Sequence, residues 1–116
     1  MKFNVRKEGK ISIVALSDQV NASNSIELTK ILKNEISEGC KFIVLDFSKT
    51  TLIDSSGISA ILVAQNKISP VEGKILISGC SNSIMKIFIL IGFKNVFDFF
   101  TTVPEALSSI SPEHLK

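Results

Sequence analysis

The segment Ile53-Asp54-Ser55-Ser56-Gly57-Ile58 places two hydroxyl groups and a carboxylate at the point where a buried strand gives way to a helix. The apolar run at residues 42–47 predicts a central strand, and apolar residues at helical spacing later predict a helix that begins near Ser55 or Ser56. Asp and Ser are preferred helix caps because their oxygens accept hydrogen bonds from the first backbone N–H groups. We expect a phosphate added to these hydroxyls to be held by free amides and by the helix dipole. The segment is therefore typical of a phosphorylation switch.

The rest of the chain predicts strands that alternate with helices around this segment. Predicted strands cover residues 3–7, 11–16, 42–46, 74–78 and 96–100, and predicted helices cover residues 25–38, 55–68, 82 to 90 or 91, and a short closing stretch from Pro104 to before Pro112. A polar loop at residues 17–24 follows the second strand. This order predicts an α/β domain with a mixed sheet. We place the domain at residues 1–110 and a frayed tail at residues 111–116.

The helix predicted near residues 84–91 is apolar nearly all round. A helix packed on a sheet needs one apolar stripe, and core packing accounts for a set of four residues, Ile84, Ile87, Phe88 and Ile91. Met85 and Ile89 are left over. They indicate either a protein interface or contact with the closing helix and the later phenylalanines, Phe93, Phe97, Phe99 and Phe100.

Composition limits the classes of function. The chain has 116 residues, of which 45% are hydrophobic and 21% are charged, as in one globular domain. Its net charge is +2 and its 13 Lys and Arg residues are scattered, so nucleic-acid binding has little support. No apolar run approaches the roughly 20 residues of a membrane span, and the first residues do not resemble a signal peptide. We therefore expect a cytoplasmic protein with no membrane span.

Metal and enzyme chemistry also have little support in the sequence. Cys40 and Cys80 form no short-spacing metal motif, and the lone His114 lies in a polar tail. We expect both cysteines to be small, partly buried and reduced. A catalytic nucleophile at Ser55 would need a nearby base and an elbow of the Gly-x-Ser-x-Gly type, which the sequence lacks. We therefore predict that the chain is not an enzyme, has no metal site and needs no cofactor.

The loop residues also support a family resemblance. A strand ending Val44-Leu45-Asp46-Phe47, a short loop and the segment 53–58 resemble the phosphorylated loop of anti-sigma factor antagonists, in the bacterial STAS-domain family. The resemblance covers nearly the whole chain, including the hairpin-like start, the helix from about Ser23, residues 73–78 and Ile91-Gly92-Phe93. It implies a single STAS domain with a mixed sheet of four to five strands and about four helices packed mainly on one face.

The resemblance also implies a function. In the family the first serine after the aspartate is the phosphoacceptor, which corresponds to Ser55, and a partner anti-sigma factor serine kinase transfers the phosphate from ATP. The unphosphorylated chain would bind that kinase and release a sigma factor. Phosphorylation would switch this binding off, and a serine phosphatase would restore it. The implied partner-binding residues are Asn21, Asp54, Ser55, Ser56, Gly57 and Ile58. Many members of the family carry an acidic residue where this chain has Asn21.

Several alternatives are open at the level of sequence. Asp54, Ser55 and Ser56 can form a helix cap with no further role, and we favour Ser56 as the cap over a second phosphoacceptor. Gly57 can allow the close approach of a partner or of the preceding loop, or can be a simple turn glycine. The whole chain can instead be a STAS scaffold that is not phosphorylated, or an accessory subunit of a signalling assembly or of a transporter ATPase.

Overall fold

A computed structural model describes residues 3–115 of the chain. The strands are β1 (Asn4–Glu8), β2 (Ile11–Ala15), β3 (Gln19–Val20), β4 (Phe42–Asp46), β5 (Leu52–Ile53), β6 (Lys74–Ser78) and β7 (Asp98–Phe100). The helices are α1 (Ser25–Ser37), α2 (Ser55–Ile68), α3 (Asn82–Leu90) and α4 (Val103–Ser108), with short 3-10 turns at Ser69–Val71, Phe93–Asn95 and Pro112–Leu115. The predicted α/β alternation is confirmed.

A five-stranded mixed sheet in the order β1-β2-β4-β6-β7 forms the centre of the domain. β1 and β2 form an antiparallel hairpin in which Asn4 pairs with Ala15, and the other neighbouring strands are parallel. Because β2, β4, β6 and β7 run in the same direction, their carboxyl ends lie along one edge of the sheet. We call it the carboxyl edge, and the loops that follow these strands meet there.

Two apolar clusters pack helices on the two faces of the sheet. Ile43 and Leu45 of β4 lie in the larger cluster with residues of α1, α2 and α3, whereas Val44 lies in the smaller cluster with Ala106 of α4. Successive strand residues point to opposite faces, so an almost continuous apolar run is what a strand covered on both sides requires. The prediction of about four helices packed mainly on one face is confirmed.

The loop predicted at residues 17–24 contains a strand that the sequence analysis missed. β3 pairs in parallel with β5, so that Gln19 lies opposite Leu52 and Val20 lies opposite Ile53. Each of these strands has only two residues, which is too short for an alternating pattern to be recognised. This small ladder fastens the loop after β2 to the segment that leads into α2.

Helix α3 buries less of its surface than the sequence predicts. Ile84 and Phe88 are fully buried in the larger cluster. Ile91, predicted to be a core residue, is exposed because it caps the helix just before Gly92 turns the chain with φ +85°. The prediction for Ile91 is therefore wrong, and Ile89 is exposed as well.

The predicted frayed tail is instead held against the rest of the domain. The backbone N–H of Lys10 donates to the carbonyl of His114 at 2.8 Å, and the His114 ring meets the Phe42 ring edge-on with centres 4.9 Å apart. A polar stretch of sequence carries no sign of this contact, because it depends on where the hairpin turn lies in space. The domain boundary after residue 110 stays a prediction, and residues 1, 2 and 116 lie outside the described residues.

Both cysteines are free thiols, as expected. Cys40 is buried and Cys80 is half-buried. Burial raises the pKa of both thiols, that of Cys80 to about 12. Because the thiolate is the reactive form, these raised pKa values indicate packing residues with little reactivity at neutral pH.

One carboxylate is buried between α1 and the sheet. Glu35 accepts a hydrogen bond of 2.6 Å from the hydroxyl of Ser12 on β2, and the ammonium group of Lys7 on β1 lies 3.6 Å from the same oxygen. Lys7 also donates to Glu38, the residue that follows α1. A buried charge is costly unless it is paired and hydrogen-bonded, so these contacts favour one position of α1 on the hairpin.

We expect Ser12→Ala to lower the free energy of unfolding by about 1–3 kcal/mol, because the buried Glu35 carboxylate loses a hydrogen-bond donor. Ser37→Ala is the matched control, since it removes an exposed hydroxyl that donates only to the Asn34 carbonyl. That change should stay below about 0.5 kcal/mol. Chemical denaturation followed by circular dichroism measures both variants. Equal stability of the two would show that the Ser12–Glu35 hydrogen bond contributes little to the fold.

Candidate functional site

Three loops converge at the carboxyl edge of the sheet. They are residues 16–24 after β2, residues 47–54 after β4 and residues 79–81 after β6. The amino-terminal end of α2 directly follows the second of these loops, so it lies at the same edge. We call residues 54–58 together with Asn21 the Ser55 site.

Asp54 is the residue that caps α2. Its backbone is extended, and its Oδ1 atom accepts the N–H groups of Ser56 at 2.9 Å and of Gly57 at 3.2 Å. The same oxygen accepts the Ser56 hydroxyl at 2.6 Å. The prediction that Ser56 caps the helix is therefore wrong, because the longer side chain of Asp54 reaches both amides and also holds the Ser56 hydroxyl. The prediction that α2 begins near Ser55 or Ser56 is confirmed, and Ser55 is its first residue.

The hydrogen bonds to Asp54 favour its charged form. The Ser56 hydroxyl is the largest cause that holds the pKa of the Asp54 carboxyl below its usual value. Loss of solvent opposes this effect, and the backbone N–H groups of Gly57, Ser56 and Ala22 reinforce it. Since the pKa is lowered in the folded state, the cap contributes its stability above the ordinary carboxyl pKa and loses it as the pH falls through the lowered value. The site thus carries a negative charge at neutral pH.

Ser55 and Ser56 differ in how open their hydroxyls are. Ser55 is the first residue of α2 and is exposed, whereas Ser56 is half-buried. The Ser56 hydroxyl is bonded to Asp54, while the Ser55 hydroxyl has no hydrogen-bond partner within residues 3–115. Of these two hydroxyls, that of Ser55 is the one accessible to an incoming enzyme.

Three backbone amides at this helix end are already occupied. The Asp54 side chain takes the N–H groups of Ser56 and Gly57, and the Asp54 carbonyl accepts the N–H of Ile58 at 3.0 Å. The expectation that free amides would hold a phosphate is therefore wrong for these three groups, because the neighbouring aspartate reaches them first. A phosphate on Ser55 would instead stand beside a negative charge.

Gly57 serves the close approach of the preceding loops. A Cβ atom at this position would lie 2.7 Å from Val20 Cγ1, 2.8 Å from Ile53 Cγ1 and 3.1 Å from the Val20 carbonyl oxygen. Gly57 is buried and packs on the β3–β5 ladder, so of the alternatives open from the sequence the structure supports contact with the preceding loop. The half-buried Ile58 packs against the larger apolar cluster.

Asn21 lies in the loop that adjoins Asp54. The Asp54 N–H donates to the Val20 carbonyl at 3.0 Å, which brings the two loops together. The Oδ1 atom of Asn21 accepts both the N–H and the hydroxyl of Ser23, at 3.0 and 2.6 Å, and the Asn21 N–H donates to Asn24 at 3.0 Å. The Asn21 side chain is therefore used to shape its own loop.

A polar pair that the sequence analysis did not single out holds the first two loops together. The Thr50 hydroxyl donates to the Ser17 carbonyl at 2.9 Å, and the Thr51 hydroxyl donates to the Asp18 carboxylate at 2.7 Å. Ser, Thr and Asp side chains commonly form such bonds in loops. The two consecutive threonines before β5 were the sequence feature that could have indicated these bonds. Their partners could not be identified from the sequence because they lie 33 positions earlier in the chain.

Metal chemistry finds no support at this edge. Within residues 3–115 no group of three or more His, Cys, Asp or Glu side chains is placed to hold a metal ion. In the same part of the chain, no helix combines the length and the apolar character that crossing a bilayer demands.

The chain is similar to proteins named for the antagonism of anti-sigma factors. A Bordetella bronchiseptica protein named "Putative anti-sigma factor antagonist BtrV" is 25% identical over 97 residues, which is 84% of this chain and 84% of that protein. The structure of the anti-sigma factor antagonist SpoIIAA in its unphosphorylated form matches with a TM-score of 0.83 at 18% identity over 93% of this chain and 95% of that one. The phosphorylated form of SpoIIAA, a Bacillus cell fate determinant, gives a TM-score of 0.78 at 18% identity over 95% and 100% of the two chains.

The same fold also occurs in a protein of another kind. A sulfate transporter family protein from Wolinella succinogenes matches with a TM-score of 0.77 at 20% identity, over 86% of this chain and 84% of that one. Structural similarity at these sequence identities shows a shared fold. It does not show which function a protein with this fold has.

A family model covers most of the chain. The model of the STAS domain matches residues 2–106, a range that includes the sheet, α1, α2, α3 and the Ser55 site. The resemblance seen in the sequence is confirmed, and the chain belongs to the STAS domain family.

Proposed function

We propose that this chain is an anti-sigma factor antagonist that is controlled by phosphorylation at Ser55. In its unphosphorylated form it binds an anti-sigma factor serine kinase in the cytoplasm and so releases a sigma factor. The observation that carries the proposal is the exposed Ser55 hydroxyl at the first residue of α2, beside a Ser56 hydroxyl that is bonded to Asp54. The names of BtrV and SpoIIAA, and the two phosphorylation states in which SpoIIAA has been solved, support it.

A protein substrate of a kinase needs to present a nucleophile and little more. In phosphoryl transfer, the base, the metal ions and the groups that neutralise charge come from the kinase. The Ser55 side chain meets this requirement because it is exposed and free to turn toward an enzyme. The chain therefore acts as a binding module and a substrate, and the catalytic groups belong to its partner.

A phosphate on Ser55 would change the charge of the binding surface far more than the fold. Phosphoserine brings roughly −1.5 to −2 charges at neutral pH, next to the ionised Asp54. Within the described residues no lysine, arginine or histidine forms an ion pair with Asp54, and the N–H groups of Ser56, Gly57 and Ile58 are occupied. In the free protein, water would solvate the added charge. In the complex the charge would lose that water without gaining a positive partner from this chain, so phosphorylation would weaken binding more than it destabilises the fold.

Asn21 affects the charge of the binding surface before phosphorylation. Many members of the family carry an acidic residue at this position, whereas here the neutral amide oxygen is bonded to Ser23. The loop beside Asp54 therefore adds no negative charge from this position before phosphorylation. The phosphate then supplies the main difference in charge between the two states of the surface. A serine phosphatase that reaches the exposed phosphoserine would reverse the switch.

The alternative function is that of a scaffold or an accessory subunit without phosphate chemistry. The fold shared with a sulfate transporter family protein is the observation in its favour. In that case the same edge binds a partner, and the Ser55 hydroxyl has no special role. The two functions differ in whether Ser55 is modified and in whether a charge there changes affinity.

We expect an anti-sigma factor serine kinase with ATP to add one phosphate to the wild-type chain, and Ser55→Ala to abolish the addition. Ser56→Ala is the matched control. It removes the neighbouring hydroxyl but keeps Ser55, so it should still accept the phosphate. Intact mass spectrometry and fragmentation locate the site. An unmodified wild-type chain, or phosphate on Ser56, would contradict the proposal.

We expect Ser55→Asp to weaken kinase binding at least about fivefold, since a badly placed charge at an interface costs about 1 to 3 kcal/mol. Its midpoint of thermal unfolding should stay close to that of the wild type, because the residue is exposed and an acidic side chain is favourable in the first turn of a helix. Calorimetric titration measures the affinity.

Ser111→Asp is the control for the charge itself. Ser111 is exposed, and His114, three residues later, packs on Phe42, the first residue of β4, so the substitution adds the same charge away from the carboxyl edge. We expect it to leave affinity for the kinase within about threefold of the wild type. If Ser55→Asp binds as tightly as the wild type, the scaffold alternative is favoured.

A further inference from the structure

Helix α3 ends in a group of apolar residues that the fold does not cover. Leu90 is 85% exposed, more than any other large apolar side chain within residues 3–115. Ile89, Ile91 and Val96 around it are 50%, 45% and 51% exposed. We call these four residues the α3 tip. Isolated exposed apolar residues are common, but four within eight positions of the chain form a patch that needs an explanation.

The backbone turns sharply at the α3 tip. Ile84 and Phe88 are fully buried on the inner side of α3, while Lys86 is exposed on the outer side, one turn before Leu90. Gly92 then reverses the chain with φ +85° and leads into the 3-10 turn that contains Lys94. The end of the helix and the turn together leave the four apolar side chains exposed.

The charge around the α3 tip has one sign. Residues 79–97 contain Lys86 and Lys94 and no aspartate or glutamate. Both lysines are exposed, and neither forms an ion pair with any side chain in the described part of the chain. Lys74 differs, because it pairs with Asp98 at 3.6 Å. The α3 tip is therefore an exposed apolar patch with two unpaired lysines near it in the chain.

The α3 tip lies at the end of the domain opposite the Ser55 site. α3 begins just after the carboxyl end of β6 and returns along the sheet, and residues 92–97 lead into the first residue of β7. A surface bound at the α3 tip would therefore leave the carboxyl edge turned outward.

We propose that the α3 tip docks this protein reversibly on an anionic lipid surface. Leu90 and its apolar neighbours enter the boundary between the headgroups and the acyl chains, and Lys86 and Lys94 lie at the lipid phosphates. Charge complementarity favours this partner, because apolar residues beside unpaired lysines are the combination that interfacial binding uses. Two lysines and four apolar residues make a weak contact, so the attachment depends on lipid composition and on salt.

Flotation of the purified full chain with vesicles tests this docking. We expect binding to vesicles of phosphatidylcholine mixed with phosphatidylserine, much weaker binding to phosphatidylcholine alone, and a fall in binding as salt is raised. Each lysine near an anionic surface contributes about fivefold to the partition coefficient, so Lys86→Gln combined with Lys94→Gln should lower it about thirtyfold. Leu90→Glu should lower it at least as far.

Matched variants on α1 separate a local contact from general charge. Lys30→Gln combined with Lys33→Gln removes two exposed lysines elsewhere, and Ile26→Glu adds a charge at another exposed apolar residue. Both should bind the mixed vesicles nearly as the wild type does. Absence of wild-type binding to the mixed vesicles, or an equal loss in the α1 variants, would overturn the proposal. It is also overturned if sedimentation velocity shows a dimer that Leu90→Glu dissociates while the wild type ignores the vesicles, since the occupant is then a second copy of the chain.

Discussion

The arrangement of the site depends on the hydrogen bonds that the Asp54 carboxylate accepts. One oxygen of this side chain accepts two backbone amides of α2 and the hydroxyl of Ser56. These bonds begin the helix and favour the ionised form of the carboxylate. They also engage the Ser56 hydroxyl, one of the two adjacent hydroxyl groups. Ser55 is left as the exposed hydroxyl next to a fixed negative charge. A single capping residue thus both builds the helix end and distinguishes two chemically identical neighbours.

The parallel sheet explains why this cap lies beside the loop of Asn21. Parallel strands bring the loops after β2 and β4 to the same edge, and the β3–β5 ladder then joins these loops by backbone hydrogen bonds. Gly57 permits the joint, because any larger residue would collide with Val20 and Ile53. Backbone contacts between the loops and the Asp54 side chain together therefore fix the start of α2.

The sequence predicted the parts of this fold that repeat a pattern. The bounds of β4, α2 and β6 follow from unbroken apolar runs and helical spacing, and the structure confirms them residue by residue. The β3–β5 ladder was not predicted, because strands of two residues are too short to show the alternation of apolar and polar residues. Two further features were not predicted, because both depend on distances set by the folded chain. They are the cap at Asp54 in place of Ser56 and the contact of His114 with Phe42. The role of Ser55 as phosphoacceptor came from the family resemblance, which rests on the order of strand, aspartate, serine and helix, and it stays a prediction.

The tight contact of Gly57 with the β3–β5 ladder has a consequence for the speed of recognition. The start of α2 packs against the β3–β5 ladder and is also held by its cap. It therefore has little conformational freedom to lose when a second protein binds. For the proposed partner, the ordering cost of association would then be small, because the free protein already holds this helix end in one position. Encounters would be limited by orientation and long-range steering, with no slow rearrangement step in between.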